Sequence, residues 1–200
     1  MSKKPETENI SFYVWCFFIC SFIGWIVETI WRSNVRGYFF NAGVLFGPYL
    51  PIYGFGFLII VLVVARIVNK VNRIDICSKH KFIGVILTVV GIFIFAAAFE
   101  YFVHWLLEVL FDRYWWYYGN SDVYVIGGKK VALHLNGRVS LRSGILLTLA
   151  GCVFLYIVYP NLKKLLSKLS QKVMKIGAVF MTCIMLVDAV LSAVKLFGNR

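Results

Sequence analysis

The fold of this chain is decided by residues 82–111, which have the sequence FIGVILTVVGIFIFAAAFEYFVHWLLEVLF. Nearly every side chain in this stretch is apolar, and its only acidic residues are Glu100 and Glu108. A helix needs about 20 mostly apolar residues to cross the hydrocarbon core of a bilayer, so this stretch is long enough to cross with length to spare. The stretch therefore predicts a transmembrane helix.

Four further apolar runs lie on either side of this stretch. We predict that they span the membrane at 12–31, 50–68, 141–159 and 173–197. Pro160 is expected to end the fourth of them. The chain is 60% hydrophobic and 15% charged, and a soluble domain of this size could not hide so much apolar surface. The sequence therefore predicts an all-α, polytopic membrane protein with about five transmembrane helices in a single domain, 1–200.

The basic residues predict the orientation of these spans. The net charge of +12 comes from 21 Lys and Arg residues, most of which lie in short segments between apolar runs. Twelve of the 21 fall on the side of the N-terminus, and cytoplasmic loops are the loops richer in Lys and Arg. We therefore expect an inner (cytoplasmic) membrane protein with its N-terminus in the cytoplasm and its C-terminus outside. No basic face carries interleaved aromatics, so nucleic acid is not expected as a partner.

Two segments outside the spans have compositions typical of membrane surfaces. The aromatic run 114–118 directly follows the third span, which predicts an interfacial belt. Residues 161–176 place leucines at helical spacing among five lysines, which predicts an amphipathic helix on the inner leaflet. Anionic inner-leaflet lipids are the expected partners of 161–176, and a cytoplasmic protein could also dock there.

Four ionisable side chains inside the predicted spans stand out as candidates, since a charge there is costly unless it faces a partner or a cavity. They are Glu28, Glu100, His104 and Asp188. At 1.5 Å per residue, the three carboxylates lie about 22–27 Å from the cytoplasmic ends of their helices. Because three independent helices place a carboxylate at similar depth, we expect a polar region in the outer half of the membrane.

Arg138 and Arg142 enter the fourth span from the outside and are the natural counter-charges. One hypothesis is an outward-facing pocket in which Glu28 and Glu100 flank Arg138, with Arg142, His104 and Asp188 nearby. The alternative is a buried ion-pair cluster that only fixes helix packing. The residue pattern does not separate the two.

Glu100, His104 and Glu108 recur at i, i+4 and i+8, on one helical face. Such a set could hold zinc, manganese or iron, but no HExxH pattern accompanies it. We therefore expect neither a metal nor a cofactor. The chain also has no GxxxxGK[ST] loop, so it is not expected to hydrolyse ATP through that motif.

Residues 43–56, GVLFGPYLPIYGFG, contain four glycines and two prolines, which argues against an uninterrupted helix. We predict a re-entrant or broken helix that opens into the pocket. A tight turn with small residues for close packing is the alternative. The backbone expected to line the pocket is that of Gly47, Pro48, Tyr49, Pro51, Tyr53, Gly54 and Gly56.

Several short motifs together resemble one family of membrane proteins. They are SFIGWIVE at 21–28, GPY at 47–49, PIYGFG at 51–56, Glu100-Tyr101, Trp115-Trp116 and Asn136-Gly137-Arg138. The set resembles the ABC-transporter type IV (CmpB-like permease) family over most of the first four spans. The resemblance implies a small prokaryotic inner-membrane protein, with Glu28, Glu100 and Arg138 at motif positions.

The chain departs from the family pattern at three places. Leu50 stands where the family tends to have cysteine, and Tyr117 and Gly119 replace acidic and serine residues. The stretch 123–135 is also longer than the family pattern leads one to expect.

Three functions remain open at this point. The first is a permease-like component of a transport system that needs a separate ATPase. The second is a stand-alone membrane enzyme acting on a lipid-linked or anionic headgroup, with the outer carboxylates as acid and base and Arg138 holding the anion. The third is a non-catalytic assembly or sensing partner. An enzyme is the less favoured class, and so small a bundle favours a homo-oligomer.

Overall fold

The chain folds as a set of helices with a short β region before the fourth helix. The computed structural model describes residues 9–64, 66–67, 81–112, 114–120, 122–126 and 129–198. The α-helices are α1 (Ile10–Arg36), α2 (Pro51–Ile59), α3 (Lys81–Phe111), α4 (Leu141–Val153), α5 (Tyr159–Leu166) and α6 (Gln171–Gly198). Two π-helical segments, Ile60–Val64 and Phe154–Val158, directly follow α2 and α4.

The predicted all-α, polytopic fold is confirmed. Among the described residues, four helices are long and apolar enough to cross a membrane: Ile10–Arg36, Phe82–Phe111, Leu141–Leu166 and Gln171–Leu196. In the most apolar window of Phe82–Phe111 only 17% of the residues are buried, so other parts of the described chain leave most of this helix uncovered. The predicted span 50–68 corresponds to the shorter helix Pro51–Val64, and position 68 lies outside the described residues.

The prediction that Pro160 ends the fourth span is wrong, because the helix continues to Leu166. Proline normally breaks a helix because its ring clashes with the carbonyl four residues earlier, in this case that of Tyr156. Tyr156 lies inside the π-helical segment, whose hydrogen bonds skip one more residue and widen the turn. The wider turn accommodates the ring of Pro160.

The prediction of one amphipathic helix over 161–176 is also wrong, because α5 ends at Leu166 and α6 begins at Gln171. The first helix ends just before Ser167, whose Oγ donates a hydrogen bond to the carbonyl of Lys164 at 2.9 Å. Ser170 begins the second, since its Oγ accepts from the amide of Val173 at 3.3 Å. Two serines with a preference for helix ends therefore override the leucine spacing.

The region between α3 and α4 contains two antiparallel strand pairs that were not predicted from the sequence. Strand β1 (Val123–Ile126) pairs with β2 (Lys129–Ala132), and β3 (His134–Leu135) pairs with β4 (Val139–Ser140). The second pair turns through Asn136 and Gly137, which have φ of 51° and 71°. An Asn-Gly pair at positive φ is the preferred chemistry for such a turn.

The described residues divide into two compact units. Unit 1 comprises the described residues of 1–58 and 159–200, and unit 2 those of 59–158. The core of unit 2 forms where α3 and α4 meet the π-helical segments, around Val64 and Ile92 with Phe95 and Leu155 packed against them. Whether the two units behave as the predicted single domain stays a prediction.

In unit 1, helices α1 and α6 lie parallel and begin at the same end. The side chain of Asn9, which caps α1, donates to the side chain of Gln171 at 2.7 Å. Six residues further along α1, Trp15 Nε1 donates to the carbonyl of Met174 at 3.0 Å. A Cβ added at Gly177 would overlap the Trp15 ring, so this close packing depends on a glycine.

The chain after α1 folds back along that helix, and we call residues 37–64 the broken span. The amide of Phe40 donates to Ser33 Oγ at 2.9 Å and that of Ala42 to Thr29 Oγ1 at 3.2 Å. The amide of Leu50 then donates to the carbonyl of Ser21 at 2.9 Å. Ser33 and Ser21 are about 18 Å apart along α1, so the irregular part of the broken span runs back to the middle of the helix.

Helix α2 starts at that midpoint and continues toward the N-terminal end of α1. A Cβ at Gly54 would overlap Ser21 Oγ and the Phe17 ring. Further on, Phe57 and Phe12 both pack against the ring of Tyr159, with ring centroids 6.1 and 6.2 Å away. The broken span therefore has an irregular first half and a helical second half, and its opening into a pocket stays a prediction.

Candidate functional site

The polar face of α3 is the richest cluster of ionisable side chains in unit 2. Glu100 and His104 are 7% and 2% exposed, although both lie in a helix whose other faces are apolar. Glu108 lies one turn further and is a quarter exposed at its side chain. The predicted i, i+4, i+8 face is confirmed.

Glu100 is held by hydroxyl groups from two other elements. Tyr118 Oη, from the loop after α3, donates to Oε1 at 2.8 Å. Ser143 Oγ, in the first turn of α4, donates to Oε2 at 2.9 Å. Ser143 is also the partner of Ser140 in the capping box that begins α4. One serine therefore starts a helix and fixes a buried carboxylate.

We expect Ser143→Ala to lower the free energy of unfolding by about 2 kcal/mol, because the hydrogen bond to Glu100 and the capping-box bond to Ser140 are both lost. The measurement is reversible unfolding in mixed detergent micelles. Thr148→Val is the matched control, since it removes a buried hydroxyl from the same helix that bonds only to the Gly144 carbonyl. That control should change stability by less than about 0.5 kcal/mol. Equal effects of the two variants would contradict the role of Ser143.

Arg138 reaches α3 from the Asn-Gly turn and bonds to Glu108. Its Nε and Nη2 both donate to Oε2 of Glu108, at 3.0 and 2.7 Å, and its Nη1 donates to Tyr101 Oη at 3.0 Å. The hydrogen bond with Glu108 raises the pKa of the Arg138 guanidinium above its ordinary value, so the group stays charged. The positive φ of Asn136 and Gly137 directs the chain so that Arg138 faces α3.

His104 lies between these two carboxylates and contacts the aromatic loop. Its Nε2 is 2.8 Å from the carbonyl oxygen of Trp116, and the Trp116 ring meets the imidazole edge to face at 5.0 Å. Trp116 Nε1 donates to the carbonyl of Arg138 at 3.1 Å. Trp116 is therefore part of the polar cluster, although the aromatic run was predicted to be only an interfacial belt.

In unit 1, Asp188 of α6 binds the irregular part of the broken span. Oδ1 accepts from the amide of Phe46 at 2.9 Å and from Ser192 Oγ at 3.0 Å. Oδ2 accepts from the amide of Gly47 at 2.7 Å and from the Tyr49 hydroxyl. Both oxygens are thus occupied by donors of the protein, which makes Asp188 a clamp on the broken span.

Glu28 is the second carboxylate of unit 1. It accepts from Arg32 Nε at 2.9 Å, one turn along α1, and from Tyr53 Oη of α2 at 2.7 Å. Gly24 makes room for the Tyr53 ring, since a Cβ there would overlap it. The counter-charge of Glu28 in unit 1 is therefore the nearby Arg32, which is not one of the predicted site residues.

The charged residues of the predicted pocket belong to both units. Glu28 and Asp188 belong to unit 1, whereas Glu100, His104, Arg138 and Arg142 belong to unit 2. Within unit 2, Arg138 bonds to Glu108 and Tyr101, while Glu100 bonds to Tyr118 and Ser143. Arg142 is exposed. The shared pocket around Arg138 stays a prediction.

Among the residues predicted to line the pocket, four have contacts in unit 1. They are Gly47 and Tyr49 with Asp188, Tyr53 with Glu28, and Gly54 with Ser21. Pro51 is the first residue of α2.

Four residues whose side chains bond to the side chains of Glu100 and Arg138 were not among the predicted pocket residues. They are Glu108, Tyr101, Tyr118 and Ser143. Glu108 was identifiable from its helical spacing, whereas the other three depend on how loops fold onto α3.

Within the described part of the chain, no three His, Cys, Asp or Glu side chains converge in a way that could hold a metal ion. Glu100 and Glu108 are instead bonded to hydroxyl groups and to Arg138.

The four long apolar helices of the described residues define a multi-pass helical membrane protein. Residues 15–193 match the family described as "Putative ABC-transporter type IV", and the chain belongs to that family. No curated protein and no solved structure matches the chain significantly.

Proposed function

We propose that this chain is the membrane-spanning, permease-like component of a transport system that is energised by a separate ATPase. The observation that carries the proposal is the broken span, whose irregular first half lies against the C-terminal half of α1. Non-helical backbone at membrane depth is tolerated where it is buried in protein or lines a water-filled cavity. Discontinuous helices of this kind build the substrate sites of many transporters.

The parallel packing of α1 and α6 supports a membrane crossing by the broken span. Because the two helices begin at the same end, an odd number of crossings must separate the end of α1 from the start of α6. Helix α3 supplies one crossing and the helix Leu141–Leu166 another. The broken span then supplies the third, which gives five crossings in all.

The distribution of lysines supports an orientation with the N-terminus in the cytoplasm of an inner-membrane protein. The turn between α5 and α6 lies at the end of unit 1 where α1 begins. That turn and its flanks carry Lys163, Lys164, Lys168, Lys172 and Lys175. We propose this basic surface as the contact for the ATPase and for anionic lipids of the inner leaflet.

The enzyme alternative is less well supported by the same geometry. An acid, a base and an anion-binding arginine would need lone pairs or N–H groups that are available to a substrate. Both oxygens of Glu100 accept hydroxyl donors, and Arg138 directs three of its nitrogens to Glu108 and Tyr101. Glu100 and Arg138, two of the residues on which the enzyme alternative depends, are therefore engaged by the protein's own groups.

The test is affinity purification from native membranes, followed by mass spectrometry. We expect a nucleotide-binding subunit in stoichiometric amount, and we expect Lys163→Gln, Lys164→Gln and Lys168→Gln together to reduce its recovery about tenfold or more. The control is Lys129→Gln with Lys130→Gln, two exposed lysines of β2 that we place on the outside. Recovery of the chain without any nucleotide-binding subunit would refute the transport proposal. Equal losses in both variants would refute the docking surface.

A further inference from the structure

We propose that His104 and Glu108 form a proton-binding site, in which a proton on Nδ1 of His104 competes with Arg138 for the Glu108 carboxylate. The site goes beyond the proposed function, since it stands on unit 2 alone and needs no ATPase. It consists of one buried imidazole, one carboxylate and one guanidinium, and its ligand is a proton from water.

The first step is the tautomer of the neutral imidazole. A carbonyl oxygen can only accept a hydrogen bond, so the 2.8 Å contact with Trp116 assigns the hydrogen of the neutral ring to Nε2. Nδ1 then has a free lone pair. Nδ1 is buried and has no hydrogen-bond partner among the described residues. A buried nitrogen in this state is a base to which no neighbouring group of the described residues donates a hydrogen bond.

The second step is the position of Glu108 relative to that nitrogen. Oε2 of Glu108 is 3.8 Å from Nδ1. Two acceptors at this distance gain nothing from each other, but a proton on Nδ1 would turn the contact into an ion pair. A movement of about 1 Å would then give an N–H···O bond of the usual charged length.

The third step is competition at a single oxygen. Oε2 already accepts two hydrogen bonds from Arg138, at 3.0 and 2.7 Å. A carboxylate oxygen offers two lone pairs, so a third donor from His104 must displace one of them or turn the carboxylate. Proton binding to His104 therefore weakens the hydrogen bonds between Glu108 and Arg138. His104 and Glu108 lie on the same face of α3.

The other groups around the ring are consistent with this assignment. The titratable and charged groups that face it are Glu108 and Glu100 on α3, Tyr114 in the loop, whose ring centroid is 5.7 Å away, and Arg138 in the turn. Glu100 is already bonded to Tyr118 and Ser143. The side chain of Glu108 is a quarter exposed, which gives water a route to the pair.

Proton binding can be observed directly by nitrogen NMR of histidine-labelled protein in lipid nanodiscs, with the His104 signal identified by its loss in His104→Gln. As the pH is lowered, we expect the neutral Nε2–H tautomer to be replaced by the doubly protonated ring. In Glu108→Gln the protonated fraction at about pH 6 should fall about tenfold, because the stabilising charge is gone. In Arg138→Gln it should rise, because Glu108 is then free to bind the imidazolium.

The matched control is Arg142→Gln, which removes the same charge from an exposed residue of α4 and should leave the His104 signal unchanged. A ring that stays neutral down to about pH 4 in the unmodified chain overturns the proposal, whether or not the variants fold. It is also overturned if Glu108→Gln and Arg138→Gln change the protonated fraction in the same direction. A role in packing alone would not produce the opposite changes.

Discussion

Replacement of Asp188 by alanine is expected to lower the free energy of unfolding by about 3–6 kcal/mol and to release the broken span from α6. Two amides and a hydroxyl of that span, from Phe46, Gly47 and Tyr49, lose their acceptor together. A buried donor left without a partner costs about 1–3 kcal/mol, and because these three contacts are part-buried we expect their sum near the lower end, at about 3–6 kcal/mol.

The measurement combines unfolding in mixed micelles with hydrogen exchange at the amides of Phe46 and Gly47. Both amides should exchange faster in Asp188→Ala. Ser192→Ala is the matched control, because it removes one donor to the same carboxylate and leaves the bonds to the broken span in place. That control should cost about 1 kcal/mol and leave both amides protected. Unchanged exchange in Asp188→Ala would show that the clamp does not hold the span.

Gly54→Ala is expected to destabilise the protein by about 1–3 kcal/mol through overpacking. The added methyl group would overlap Ser21 Oγ and the ring of Phe17. That ring cannot easily move aside, because Phe18 and Phe55 pack against it with centroids 5.3 and 5.0 Å away. The broken span would have to shift away from α1.

The control for this variant is Gly91→Ala, the same change inside helix α3. A Cβ at Gly91 would meet only Val64 Cγ1, at an ordinary contact distance of 3.5 Å. Alanine also favours helix over glycine by about 1 kcal/mol, so Gly91→Ala should be neutral or stabilising. Unfolding measurements on the pair separate the close approach at Gly54 from the general effect of glycine replacement. Similar changes in both would contradict overpacking as the cause.

The long helices were predictable because a bilayer imposes one length and one kind of side chain. The run 82–111 is apolar over its whole length, and helix Phe82–Phe111 has the predicted bounds. The broken helix was predictable for a related reason, since glycines and prolines at 43–56 cannot continue a regular backbone. The polar face of α3 followed from the spacing of Glu100, His104 and Glu108.

The partners of these side chains were not predictable, because they depend on contacts between residues far apart in the chain. Depth along the helices predicts Arg138 near Glu100, but the Asn-Gly turn brings it to Glu108, two helical turns further along α3. Ser143 and Tyr118 carried no signal of their own, since hydroxyl residues are common in loops and helix starts. Pro160 misled for a different reason: a π-helical turn can accommodate a proline that would break a regular α-helix.

The clamp on the broken span also constrains the order in which the protein can be completed during synthesis. Phe46 and Asp188 are separated by 142 positions along the chain. A ribosome adds about 5–20 residues per second, so the first part of the chain waits roughly 7–30 s before α6 emerges. Until then the amides at 46 and 47 lack the Asp188 carboxylate that accepts their hydrogen bonds in the finished protein. A chain that terminates before α6 would therefore leave the broken span without Asp188. We expect such a chain to be degraded as a misfolded membrane protein.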